Sequence, residues 1–188
     1  MVNIKGTAVA DAIEGVKARS GEQTYSSIVG LLQGETRALF ERATVLATNW
    51  YPLDAFVEFL EMDLRVTAQG DEQALIRRSE IVIERQLRGI YRLFVKLGST
   101  RFLLDRISLI HQTYFQGVDV EVKLPSPGKA IVRYTGFAGK HRLIGLSIIG
   151  FYRKALQLSG AKEVQATFTV PIDDDKGYCE LLLTWSGK

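Results

Sequence analysis

Two histidines, His111 and His141, and one cysteine, Cys179, are the chain's whole supply of imidazole and thiol. A lone cysteine rules out an intramolecular disulfide and any multi-cysteine zinc site. His111 lies in "RFLLDRISLIHQTYFQGVDVEVKL", where an apolar helical pattern hands over to strand alternation. On a 3.6-residue wheel over Phe102–Phe115, Leu103, Leu104, Ile107, Ile110, Tyr114 and Phe115 share one broad arc, and His111 falls inside it. Its ring is expected to point inward, as a haem ligand or as a neutral core imidazole with one or two hydrogen bonds. His141, in "GKHR" at the start of a helical run, is expected at the surface. Cys179 falls on the apolar side of the last strand with no histidine nearby in sequence, which fits an inert core thiol.

The remaining clusters carry less chemistry. Arg78, Arg85, Arg88, Arg92 and Lys96 recur at spacings of seven, three, four and four, one helical face if Gly89 does not break it. Such a stripe could meet phosphates, an acidic protein surface or anionic lipid headgroups. The plainer reading is a solvated face with local partners, for instance Glu84 with Arg88. No aromatic platform accompanies it, so nucleic acid is disfavoured. The acids of "DDDKG" lack the alternating spacing of a calcium loop and read as a solvated turn. "GLSIIG" is no nucleophile elbow, because its serine sits inside a helical run. With no phosphate-cradling loop and no credible acid, base and nucleophile, no catalytic residue is assigned.

The elements that would position these residues divide at Gly117. In the front part, Val9, Ile13 and Val16 keep helical spacing behind a possible Thr7 cap. "EQTYSSIVGLLQ" and "ETRALFERA" are two further short helices, separated near Gly34. Pro52 fits the first turn of a helix whose Leu53, Phe56, Val57, Leu60 and Leu64 form one stripe. After "QGDE" a long helix is expected over 72–97 with Gly98 as its C-cap, then another from Ser99 or Thr100. No period-two alternation occurs in this part.

Behind Gly117, "VDVEVKL" alternates Val118, Val120, Val122 and Leu124 with charged residues, and "PSPG" turns the chain into "KAIVRYTGF". A helix over about 140–159 follows, with Gly145 and Gly150 inside it. Each glycine costs on the order of 1 kcal/mol there. They imply either packing on the sheet or close approach of another backbone or a ligand. "EVQATFTV" and "YCELLLTW" supply two more alternating strands.

The expected fold is therefore α+β. An N-terminal helical part (1–116) packs on a four-stranded antiparallel sheet formed by a C-terminal β-β-α-β-β unit (117–188), in one domain. The N-terminus has no continuous apolar region, and the longest apolar run, 143–152, falls short of the roughly 20 residues that span a bilayer. A formal charge of +3 is mild. Cytoplasmic residence is the expectation.

"IKGTAVADAIEGVKAR", "NWYPLDAFVEFLE" and the closing β-β-α-β-β ending "ELLLTW" together resemble a bacterial paralogous family of about this length with no assigned function. That family is in turn similar in outline to the haem nitric-oxide/oxygen-binding (H-NOX) domains, the 4-vinyl reductase domains and the TRAPP vesicle-tethering subunits. The resemblance implies a cavity for a small hydrophobic molecule between helices and sheet, or a scaffold that dimerises through its helices. It also sets His111 where H-NOX domains carry their haem-ligating histidine, with Tyr114 and Tyr134 as further cofactor-contacting candidates. The H-NOX Tyr-x-Ser-x-Arg propionate clamp is not matched: the corresponding stretch reads "KAIVRYTGFAG", with Arg133 and Tyr134 in another order. Unpaired propionates would be costly to bury, so haem is disfavoured and the cofactor is left unknown. The expected function is a non-catalytic regulatory or protein-interaction module, homodimeric and meeting a protein partner. The alternative is a sensor or carrier of a small hydrophobic ligand.

Overall fold

The computed structural model describes residues 1–41, 45–88, 100–174 and 176–187, with the side chains of 87, 88 and 140 excepted. The chain opens with a short strand, β1 (Asn3–Lys5), which runs directly into helix α1 (Gly6–Leu31). The helix therefore begins one residue before Thr7. The residue preceding it, Lys5, belongs to β1 and makes no side-chain capping bond. Gly21, at φ 84°, interrupts α1 in a conformation that suits glycine, so "EQTYSSIVGLLQ" is the second limb of a kinked helix. Helix α2 (Gly34–Glu41) follows, then strand β2 (Trp50–Pro52) and helix α3 (Leu53–Ala68). Pro52 sits just ahead of the first helical turn. Leu53, Phe56, Val57, Leu60 and Leu64 are all buried along one side of α3. The helix stops at Gln69 in the left-handed region (φ 51°), whose N–H returns to the Leu64 carbonyl.

Helix α4 (Glu72–Arg88) carries the first part of the expected long helix. The kink at Gly89, the continuation to Leu97 and the Gly98 cap lie outside the described residues. The next expected helix is two: α5 (Thr100–Leu104) and α6 (Ile107–Tyr114). Arg106 leaves helical geometry between them (φ −110°, ψ 1°), its guanidinium over the Phe102 ring at 3.6 Å.

Strand β3 (Phe115–Gln116) ends α6 and pairs with β1, which pairs with β2 on its other edge. The front part thus does contain strands, contrary to expectation. Segments of two and three residues are too short to show alternation. They tie the start of the chain to the entry of α3 and the exit of α6.

The back part follows the expected order: β4 (Asp119–Ser126), β5 (Lys129–Thr135), a 3-10 turn over Gly139–His141, α7 (Arg142–Leu158), β6 (Lys162–Val170) and β7 (Tyr178–Ser186). The sheet is antiparallel in the order β4-β5-β7-β6. Ala130, Val132 and Tyr134 stand opposite Leu183, Leu181 and Cys179, and all six are buried. Alternation on two facing strands gives one continuous apolar face, each fully buried leucine contributing about 2 kcal/mol.

Helices α6 and α7 lie on that sheet, and α4 crosses the far side of α7. Helices α4 and α3 therefore lie above α7, with α1 packed in turn on α3. Buried apolar side chains from Ile4 to Leu183 join in one contiguous cluster. The two unusual glycines of α7 divide the two readings between them. A Cβ on Gly145 would meet the Ile172 and Phe168 side chains at 3.1 Å, which is packing toward the sheet. A Cβ on Gly150 would stand 2.5 Å from the Ile76 carbonyl oxygen, so here another backbone does approach closely.

Candidate functional site

Burial at every fourth position turns Ile107 and His111 of α6 inward together. The His111 ring is 4% exposed and meets two tyrosines from distant segments. Its Nε2 lies 3.1 Å from the Tyr134 hydroxyl of β5 and 3.2 Å from the Tyr152 hydroxyl of α7. Tyr134 donates to Tyr152 across 2.9 Å, closing a triangle. The imidazole also meets Tyr134 edge-on with centroids 5.2 Å apart, and packs against Phe151 and Phe115. Burial pushes the His111 pKa down to about 3 and raises both tyrosine hydroxyls well above their ordinary range. All three groups are uncharged at neutral pH. His111 Nδ1 is buried and has no hydrogen-bond partner among the described residues.

His111 lines a cavity of about 160 Å³ between α1, α3, α4, α6 and α7. Its lining is mainly apolar, with Ile4, Phe56, Leu60, Ile83, Ile144 and Ile148 prominent. Tyr134 and Tyr152 do not line it. A second polar group does, and this one is ionic. Asp63 Oδ2 accepts from Arg78 at 2.8 Å and Arg19 at 3.3 Å, while its Oδ1 accepts the Thr67 hydroxyl at 2.8 Å. Arg78 also donates to Thr67 Oγ1 at 2.8 Å. Partial burial lowers the Arg19 pKa, with the neighbouring Arg78 charge adding to the effect.

The residues singled out in the sequence scatter over this arrangement. His111 and Tyr134 meet directly. Tyr114 lines the cavity, but its hydroxyl donates to Gln86 Oε1 at 2.7 Å. Arg78 is not on an open basic face: its side chain is 14% exposed and turned inward to Asp63. Arg85 faces outward and pairs with Asp11. The Arg88 side chain, Arg92 and Lys96 lie outside the described residues. His141 is buried, not at the surface. The 3-10 turn sets its Nδ1 to accept the Ala138 N–H at 3.1 Å, while Nε2 lies 2.8 Å from Asp54 in the first turn of α3. Cys179 is buried, and desolvation pushes its thiol up to about 12. Asp174 pairs with Lys176 and Asp173 lies near Arg142, while Asp175 falls outside the described residues. Among the described residues no group of three metal-ligating side chains forms.

Tyr152 and Asp63 went unnoticed in the sequence. Tyr152 lies 41 residues from His111 in a helix whose glycines drew attention first. An acid within the apolar stripe of α3 was the one signal that could have marked Asp63.

No protein-family model matches the chain, and no curated protein sequence matches it either. Solved structures do. The fold is that of the H-NOX domains. The unliganded Fe(II) form of an H-NOX protein from K. algicida superposes with a TM-score of 0.71 at 11% identity, covering 98% of each chain. An H-NOX protein from S. oneidensis in the Fe(II)NO ligation state gives 0.70 at 13% identity, over 98% of this chain and 100% of the other. An oxygen-binding H-NOX domain related to soluble guanylate cyclases gives 0.70 at 10% identity, over 98% and 96%. At such identities the likeness is one of fold.

The haem of the H-NOX family does not fit the residues here as they are arranged. The Nε2 of His111 is engaged by two hydroxyls. Arg133 pairs with Glu180 at 3.1 Å and lies over Tyr178, while Tyr134 is committed to the triangle, so neither offers a propionate clamp. The cavity is about 160 Å³, below the roughly 300 Å³ where pockets for drug-sized ligands begin.

Proposed function

We propose that the protein is a non-catalytic sensor or carrier that holds one small, mainly apolar molecule between α1, α3, α4, α6 and α7. The supporting observation is the cavity itself: mainly apolar walls with a buried imidazole among them. Its volume suits a molecule the size of benzene, which apolar cavities of about 150 Å³ admit. A site of this size selects by shape and apolar contact, and the fold likeness to ligand-holding H-NOX domains is in keeping with it. Cytoplasmic residence is part of the same proposal. Among the described residues no helix is long and apolar enough to cross a membrane.

The homodimeric interaction module has less support. Among the described residues the large apolar side chains exposed beyond Met1 are Leu31, Leu46, Val66, Ile81 and Leu109, each on a different segment of the chain. Native mass spectrometry of protein purified without denaturation addresses both readings. It is expected to show a retained small molecule; a chain that retains none is expected to take up benzene in an NMR titration, with shifts confined to the methyl resonances of Ile83, Ile144 and Ile148. Neither a retained molecule nor any methyl shift at saturating benzene rejects the ligand reading, and the recorded mass gives the oligomeric state.

A further inference from the structure

The cavity has two polar ends, and they differ in charge. Ala8, Asp11, Ala12, Gly15 and Arg19 fall on one face of α1, and that face lines the cavity. Arg78, Val82 and Gln86 line it from α4. The two helices run antiparallel across it: Asp11 meets Arg85 and Gln86, whereas Arg19 meets Arg78 through their shared Asp63. Asp11 and Arg19 lie about 12 Å apart along α1. At the first end the charges of Asp11 and Arg85 cancel. At the second, two guanidiniums face one carboxylate, which leaves one positive charge over. Asp71, which also feels the Arg78 charge, is taken up by Arg77.

Arg19 is placed to use that surplus. Only its Nη2 reaches Asp63, at 3.3 Å, and among the described residues its Nε and Nη1 have no acceptor. A Cβ on Gly15 would stand 3.0 Å from Nη1. Because Gly15 belongs to the face of α1 that lines the cavity, the guanidinium folds back over that face, and the missing side chain leaves it room.

We infer that the cavity takes a small monocarboxylate, with its apolar body between α1 and α4 and its carboxylate on the guanidinium of Arg19. The inference rests on the ligand-holding function proposed above and adds the chemical class. The Arg78 charge works against that of Arg19, and a second carboxylate offsets it. A single surplus charge matches a single negative head, held by charge-assisted hydrogen bonds. The head also stays near water, since the Arg19 side chain is 35% exposed, so no unpaired charge has to be buried. A dianion brings a second charge for which this end holds no partner.

A benzene-sized body fits the volume, so the test pairs benzoate with its neutral isostere benzamide. Each is titrated into the full chain and followed by methyl NMR. Both are expected to shift the Leu60, Leu75 and Ile83 methyls, with benzoate bound roughly tenfold tighter. Arg19→Gln is expected to abolish the preference, while Asp63 keeps Arg78 and Thr67. If that chain does not fold, the Arg19 Nε resonance of the unmodified protein decides: it is expected to move with the benzoate titration. Benzoate bound no tighter than benzamide, an undiminished preference in Arg19→Gln or an unmoved Nε signal overturns the inference. In each case the ligand reading stands as long as benzene binds. If none of the three compounds binds, both fall.

Discussion

Two polar groups lie within the greasy interior around one cavity, and they are built on opposite plans. The triangle of His111, Tyr134 and Tyr152 is wholly buried and uncharged. The group around Asp63 is ionic, with two guanidiniums sharing one carboxylate oxygen and Arg19 reaching toward solvent at 35% side-chain exposure. The difference follows from desolvation. A charge can be kept in the interior only where opposite charge and hydrogen bonds accompany it, and the acid on α3 has three such partners. His111 has hydroxyls only, so it remains neutral. The ionic group fixes helices relative to one another, whereas the neutral one retains an uncommitted hydrogen-bonding atom.

The contrast can be broken in order of effect. Asp63→Asn leaves Arg78 buried without a counter-charge and should lower stability by about 3 kcal/mol in urea unfolding. Lowering the pH acts on the other side. The folded His111 pKa is depressed to about 3, against about 6.5 in an unfolded chain, so only the unfolded state gains a proton as pH falls below 6.5. Stability contributed above pH 6.5 is lost progressively toward pH 3, by about 2 kcal/mol between pH 7.5 and pH 5. A His111→Gln chain should lack this increment, and identical pH slopes for the two chains would contradict it.

Tyr134→Phe removes one hydroxyl, but Tyr152 still reaches Nε2. A loss of about 1 kcal/mol is expected in urea unfolding. The smallest effect is Arg85→Ala. Its pair with Asp11 is solvent-facing, and a change within about 0.5 kcal/mol is expected in the same unfolding assay. A penalty as large as that of Asp63→Asn would erase the distinction between interior and rim.

Sequence periodicity carried the back part well, because strands of seven to nine residues display their alternation in full. The same logic failed for β1, β2 and β3, whose two or three residues show no period. It also joined α5 to α6, since nothing in the apolar spacing marks the departure at Arg106. At the site, the wheel set His111 facing inward but could not supply its partners, which come from β5 and α7. Local context misled twice. His141 looked exposed because it stands at a helix start, in "GKHR", though the 3-10 turn sets it against Asp54 of α3. Arg78 looked like one member of a cationic face, though its partner Asp63 belongs to another helix. Pairings of this kind depend on tertiary proximity, and spacing along the chain does not encode it.

The crossing at Gly150 bears on how this interior can respond to a guest. With no side chain between the α4 backbone and α7, that contact has no rotamers through which to yield. Two walls of the cavity are in effect riveted together. Any swelling is left to the other walls, which α1, α3 and α6 supply.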